Sequence, residues 1–143
     1  MNRDDFDLRD FTPYLLNMAA DATSLAFQPV YRKGYGMLRT EWRVLFHLGR
    51  YGAMTARDVG ARARLHKTKV SRAVAALERK RFLSRRTSET DRRAEVLSLT
   101  QAGTRTYHAL SAEARTFDAS LLAQFTEEET EVLRRCLHRL AGL

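Results

Sequence analysis

One stretch, Leu65 to Thr100, constrains the fold more than any other: it reads as a helix followed by a basic hairpin. Within residues 66–79 a 3.6-residue period stacks Val70, Val74 and Leu77 on one side, with Ala73 beside them. Thr68, Arg72, Ala75 and Arg79 fall on the other side, flanked by Lys69 and Ala76. Alanines let such a face approach a groove closely, while Arg, Lys and Thr reach phosphates and base edges. A solvated amphipathic helix with ordinary surface arginines has the same pattern, so the helix alone does not decide between the two.

The segment that follows does. Residues 82–86 read as a short strand and 94–99 as its return, with Leu97 and Leu99 at the period of two that a half-buried strand needs. Between them lies a polar tip, 87–93, that carries the adjacent Arg92 and Arg93. A helix followed by a basic-tipped hairpin is the layout of a winged helix. The helix would enter the major groove of DNA and the hairpin would lay an arginine in the neighbouring minor groove.

The charge is distributed to match. The chain of 143 residues has a net charge of +8. Residues 51–100 hold 13 Lys+Arg against 5 Asp+Glu, whereas residues 1–50 hold 7 against 6 and residues 101–143 hold 5 against 6. A basic block between near-neutral arms implies a polyanionic partner for the block and a different task for the arms. A membrane surface would want large apolar residues beside the cations, and the outward helix face carries alanines instead. No run of 18 apolar residues is present, and the opening Met1–Asp7 lacks the apolar core of a signal peptide. With a single cysteine and no internal disulfide, these features point to a cytoplasmic protein.

The arms read as helices. Thr12-Pro13 looks like an N-cap with proline at the first helical position, followed by a stripe of Leu15, Met18, Ala22 and Leu25. This helix is expected to end near Gln28, before Pro29, with a loop over 31–36. Trp42, Leu45, Phe46 and Gly49 mark a second helix ended by Gly52. Thr55 and Asp58 form a capping box for a short helix to about Ala63, with Val59 on its buried side. After the wing, Thr100 is placed to cap a long helix with the stripe Tyr107, Leu110, Ala114, Phe117 and Leu121. A second capping box, Thr126 to Glu129, opens a helix with a wide apolar face of Val132, Leu133, Cys136, Leu137 and Leu140. The fold class is therefore mostly α with a small β wing: a winged helix-turn-helix at about 38–100 within one domain, flanked by helical arms at 7–30 and 101–143.

Asp91-Arg92-Arg93, then Leu97-Ser98-Leu99-Thr100 and Gly103, resembles the wing signature of the MarR (multiple antibiotic resistance regulator) family of bacterial transcription factors. Lys67–Arg72 with Leu77-Glu78 resembles that family's recognition helix, and Trp42–Leu45, Leu48 and Gly52 its second helix. The resemblance covers nearly the whole chain. It departs at Arg81, where the family usually has glycine; a non-glycine residue in the left-handed region there would cost roughly 1 kcal/mol, or the helix end is shaped differently.

The resemblance implies a DNA-binding regulator, a repressor released by a small aromatic or phenolic ligand, whose arms interlock in a homodimer on an inverted-repeat operator. The surplus apolar faces agree with a dimer, although arms packed on their own domain would also bury them. Lys67, Thr68, Lys69, Ser71 and Arg72 would meet the major groove, with Arg72 reading bases. Arg85, Arg86, Arg92 and Arg93 would carry the wing's contacts, Asp91 would pair with Arg93 and hold the tip, and Thr55 would stand near a phosphate. A ligand pocket would draw on Tyr35, Trp42, Arg43 and His47, an aromatic wall with a cation, though Trp42 and His47 also suit an ordinary core.

Other chemistries find little footing. His47, His66, His108 and His138 pair neither with one another nor with Cys136 at the spacing of helical metal ligands. Cys136 sits in an apolar stripe, which favours core packing over redox sensing. No phosphate loop, nucleophile elbow or Ser/His/acid set is present, so neither catalysis nor a cofactor is expected. A non-specific architectural or RNA-binding protein would use the same basic block.

Overall fold

The computed structural model describes residues 5–143, so part of the opening segment read above for a signal peptide, Met1–Asp4, lies outside it. The chain forms two compact units, one reaching His108 and one from Ala109 to Leu143. The first contains a 3-10 turn at Leu8–Asp10, then α1 (Thr12–Tyr35), α2 (Arg39–Tyr51), β1 (Met54–Thr55), α3 (Ala56–Ala63), α4 (Lys67–Arg79), β2 (Leu83–Thr87) and β3 (Glu95–Leu99). Helix α5 (Gln101–Leu122) runs from the first unit into the second, which α6 (Glu127–Ala141) completes.

The first unit is a winged helix-turn-helix. Val44, Leu45 and Leu48 of α2, Val59 and Ala63 of α3, and Val70, Ala73, Val74 and Leu77 of α4 are all buried, together with Leu83 and Leu97 of the sheet. The helical stripe read from 66–79 is therefore the core face of α4. The sheet is antiparallel in the order β1-β3-β2, with Met54 opposite Leu97 and Leu83 opposite Leu99. The two-residue β1 was not anticipated, because two residues carry no periodic signal; pairing with β3 makes it a strand.

The first arm differs from expectation at both ends. Phe11, not Thr12, is the N-cap, and the helix continues through Pro29 to Tyr35, so there is no loop over 31–36. An internal proline costs about 3 kcal/mol in a helix. Here Phe27 and Tyr31, on either side of Pro29, are buried, with ring centroids 5.6 and 5.7 Å from that of Trp42. Packing across the proline outweighs the lost hydrogen bond, while Leu25, whose carbonyl loses that partner, is 66% exposed and open to water. Gly36 ends α1 in the left-handed region at φ 62°, its amide bonded to Arg32 and the next amide, of Met37, to Tyr31.

The hairpin follows α4 through Arg81, which is left-handed at φ 62°. The Phe82 amide donates to the Leu77 carbonyl at 3.0 Å, so α4 ends in the geometry that usually takes glycine. Thr100 makes this corner: its hydroxyl donates to the Arg81 carbonyl at 2.7 Å and accepts from the Gly103 amide at 3.0 Å, capping α5 as read from sequence. Gly103 is required there, since a Cβ would come within 2.0 Å of the Phe82 carbonyl oxygen.

The second unit turns from α5 into α6 through the Thr126–Glu129 capping box, with bonds of 3.1 and 3.2 Å, and is tied by Arg134 to Asp118 at 2.8 Å. Val132, Leu133, Leu137 and Leu140 are exposed. Cys136 is exposed with them, so it is not packed into a core of this chain, as the stripe had suggested; α6 turns that face outward. Among the described residues no helix is long and apolar enough to cross a membrane.

Replacing Arg81 by glycine should relieve the left-handed strain and stabilise the fold by about 1 kcal/mol, read as a rise in urea midpoint at unchanged m-value. A lower midpoint would show that the Arg81 side chain holds the corner.

Candidate nucleic-acid interface

The helix-turn-helix is built by short-range caps. Thr55 accepts the Asp58 amide at 3.2 Å and Asp58 returns to the Thr55 amide at 3.4 Å, which starts α3. Arg64 ends α3 in the left-handed region at φ 53°, and His66 opens α4 by accepting the Thr68 amide at 3.3 Å. With its apolar side buried, α4 turns Lys67, Thr68, Lys69, Ser71 and Arg72 outward, all exposed. Arg57, Lys67 and Ser71 line a cleft of about 580 Å³ between α3 and α4. Among the described residues none of Lys67, Lys69, Arg72 or Arg79 has an ion-pair partner within the chain. These charges stay fully available to an outside anion.

The wing arginines divide by strand face. Arg85 lies opposite Leu97, on the face that turns toward α4, and holds Glu78 at 3.1 Å and Glu95 at 3.2 Å. Arg86, one residue on, points to the opposite face and is exposed. Arg92 and Arg93 occupy the tip. Asp91 accepts the Arg93 backbone amide at 2.9 Å, and its own carbonyl takes the Ala94 amide at 3.1 Å. Sequence reading paired Asp91 with Arg93. The bond forms through the Arg93 main chain, as a short turn, and leaves the guanidinium outside it.

The four residues read as a pocket fall in different places. Trp42 joins Phe27, Tyr31 and Phe46 in an aromatic cluster, its indole nitrogen buried with no hydrogen-bond partner among the described residues. Arg43 lies one helical position round and donates to the Ala63 carbonyl, closing the end of α3. Burial first, and the Arg39 charge second, hold its pKa below the ordinary arginine value. His47 donates its Nδ1–H to the Arg43 carbonyl at 2.6 Å, and its ring lies 6.0 Å from that of Tyr51. Tyr35 is half-buried near the end of α1. Two features had no clear sequence signal: the Arg85 brace and the pairing of buried Glu41 with Lys80 at 3.2 Å. The first depends on how the hairpin folds back on α4, and the second joins residues 39 apart in the chain. Among the described residues no group of three or more His, Cys, Asp or Glu could hold a metal ion.

A three-stranded wing behind a helix-turn-helix defines a class, the winged-helix DNA-binding proteins. Residues 35–94 match the sequence model of the MarR family. It is 28% identical over 97 residues to the uncharacterized HTH-type transcriptional regulator YwoH of Bacillus subtilis, covering 68% of this chain and 70% of that one. A probable transcriptional regulator from Pseudomonas aeruginosa has the same fold at TM-score 0.83 and 27% identity, over 94% of this chain and 99% of its own. A MarR/EmrR family transcriptional regulator from Acinetobacter sp. ADP1 matches at TM-score 0.84 and 26% identity, over 96% of each chain.

The Asp91 turn is testable without DNA. Asp91→Ala should speed hydrogen exchange at the Arg93 amide at least about tenfold while lowering stability by about 1 kcal/mol or less. Unchanged exchange would show that another group holds the tip.

Proposed function

We propose that the chain is a sequence-specific DNA-binding regulator that acts as a homodimer and represses transcription until a small aromatic ligand releases it. The observation that carries the DNA reading is the exposed cation set on α4, without ion-pair partners among the described residues, facing away from a buried apolar stripe. Lys67, Lys69, Thr68 and Ser71 take phosphates, Arg72 reads base edges, and Thr55 meets the backbone beside α3. Arg93, with Arg92 and Arg86, enters the minor groove, while Arg85 braces the wing against α4. S. aureus MepR, which shares this fold, is known in a complex with DNA. A DNA partner gives the protein a cytoplasmic site of action.

The dimer reading rests on the arms. Leu15, Met18 and Leu25 of α1 and Val132, Leu137 and Leu140 of α6 are large apolar residues left in water by the single chain. A second copy covers such faces symmetrically and sets two recognition helices on an inverted repeat. The ligand reading rests on the aromatic cluster of Trp42 with Phe27, Tyr31 and Phe46, where the indole nitrogen has no hydrogen-bond partner among the described residues. NadR, of the same fold, is known in complex with 4-hydroxyphenylacetate.

Titration of the chain against its own upstream intergenic DNA and a scrambled duplex, at one salt concentration, tests the regulator reading. A preference of about 10³-fold or more supports it, and equal affinities mark a non-specific nucleic-acid binder. Arg93→Ala should weaken operator binding by about 10- to 100-fold with the dimer intact, and unchanged affinity would overturn the wing assignment. The double substitution Leu137→Glu with Leu140→Glu should give a monomer in sedimentation velocity. It should also weaken operator binding by about 100-fold or more, since the second half-site is no longer tethered. A wild-type chain that sediments as a monomer would overturn the dimer.

A further inference from the structure

Glu41 is 3% exposed, a carboxylate taken almost wholly out of water in a chain rich in arginine. Burial of such a group is costly unless each oxygen is satisfied. One oxygen accepts the Leu38 amide at 2.6 Å, at the start of α2. The other accepts from the Lys80 ammonium at 3.2 Å, 39 residues away, at the residue that caps the end of α4. The Lys80 stem crosses the corner between α1 and α2, where a Cβ on Gly36 would lie 3.9 Å from the Lys80 Cε. Glu41 also borders a groove of about 300 Å³ whose opposite wall carries Arg72 and Arg79.

A buried ion pair often stabilises a fold no better than an apolar pair of the same size, so its contribution here is geometric. The pair ties the C-terminal end of α4 to the start of α2, where the Leu38 amide holds the Glu41 carboxylate, beside the groove that Arg72 also lines. We infer that Glu41, acting through Lys80, is a positioning residue for DNA reading: it sets α4 relative to the α1–α2 corner and touches no DNA itself. The inference rests on the reading that α4 reads a specific site.

The test uses the full-length chain, a duplex selected by it from a random pool, and a random duplex, titrated by fluorescence anisotropy at one salt concentration. Glu41→Gln keeps an acceptor for the Leu38 amide and removes the charge that holds Lys80. Lys80→Met keeps the stem and removes the ammonium, and Lys80→Arg retains the pair. Glu41→Gln and Lys80→Met should each lose about tenfold or more in affinity for the selected duplex, and the double variant no more than either alone. Lys80→Arg should retain wild-type affinity. Glu41→Gln should bind random DNA within about twofold of wild type, because every cation remains. Glu41→Gln with a wild-type ratio of selected to random affinity would overturn the inference. So would Lys80→Met weakening both duplexes equally, which would make Lys80 a phosphate contact. A second readout needs no selected duplex: the backbone amide shifts of residues 72–79 should move in Glu41→Gln, and unchanged shifts would overturn the inference. A wild-type chain without preference for any duplex would overturn the regulator reading, while the amide shifts still decide whether Glu41 positions α4.

Discussion

Val70, Ala73, Val74 and Leu77 of α4 pack with Val44, Leu45 and Leu48 of α2 and Val59 of α3, and the interface on the other side of α4 is what this burial leaves exposed. Burying a valine or leucine side chain contributes about 1.5–3 kcal/mol, so these contacts outweigh the repulsion among the cations opposite. The helix is held from behind by apolar packing. Its outward arginines and lysines therefore need no internal carboxylate and keep their charge for an outside polyanion.

The wing is held differently. Its strands are short, and of their apolar residues Leu83 and Leu97 are buried while Val96 and Leu99 are only half-buried. The Arg85 pairs with Glu78 and Glu95 and the Thr100 hydroxyl at the Arg81 carbonyl tie the hairpin to α4 and α5 by polar contacts. Exposed ion pairs of this kind contribute only about 0–1 kcal/mol each. The hairpin is thus fixed at its base, and at its tip Asp91 keeps the Arg93 main chain in a defined turn.

The arms face a different constraint. In α1, Phe27 and Tyr31 bind the helix to Trp42 strongly enough to carry it through Pro29, yet Leu15, Met18 and Leu25 stay in water. In α6 the entire apolar face is exposed, Cys136 included. Such faces satisfy the periodicity of buried helices without being buried in one chain. Periodicity marks an apolar face and does not say whether the chain itself buries it.

The sequence by itself determined the elements that rest on local physics. The apolar period of α4, the alternation of Leu97 and Leu99, and the capping residues Thr55, Thr100 and Thr126 act within a few residues, and each lies where the pattern put it. The basic block and the wing signature were legible for the same reason. Tertiary structure alone decided what depends on distant neighbours. Aromatic packing carried α1 past Pro29, where local preference ends a helix. Pairing with β3 made Met54–Thr55 a strand. The Thr100 corner held Arg81 in a conformation that locally favours glycine. Strand register turned Arg85 toward Glu78 and Arg86 to the opposite face, and the fold brought Arg43 to the Ala63 carbonyl and Glu41 to Lys80 across 20 and 39 residues. At Pro29 and Arg81 contacts with distant residues outweigh local preferences of about 3 and about 1 kcal/mol.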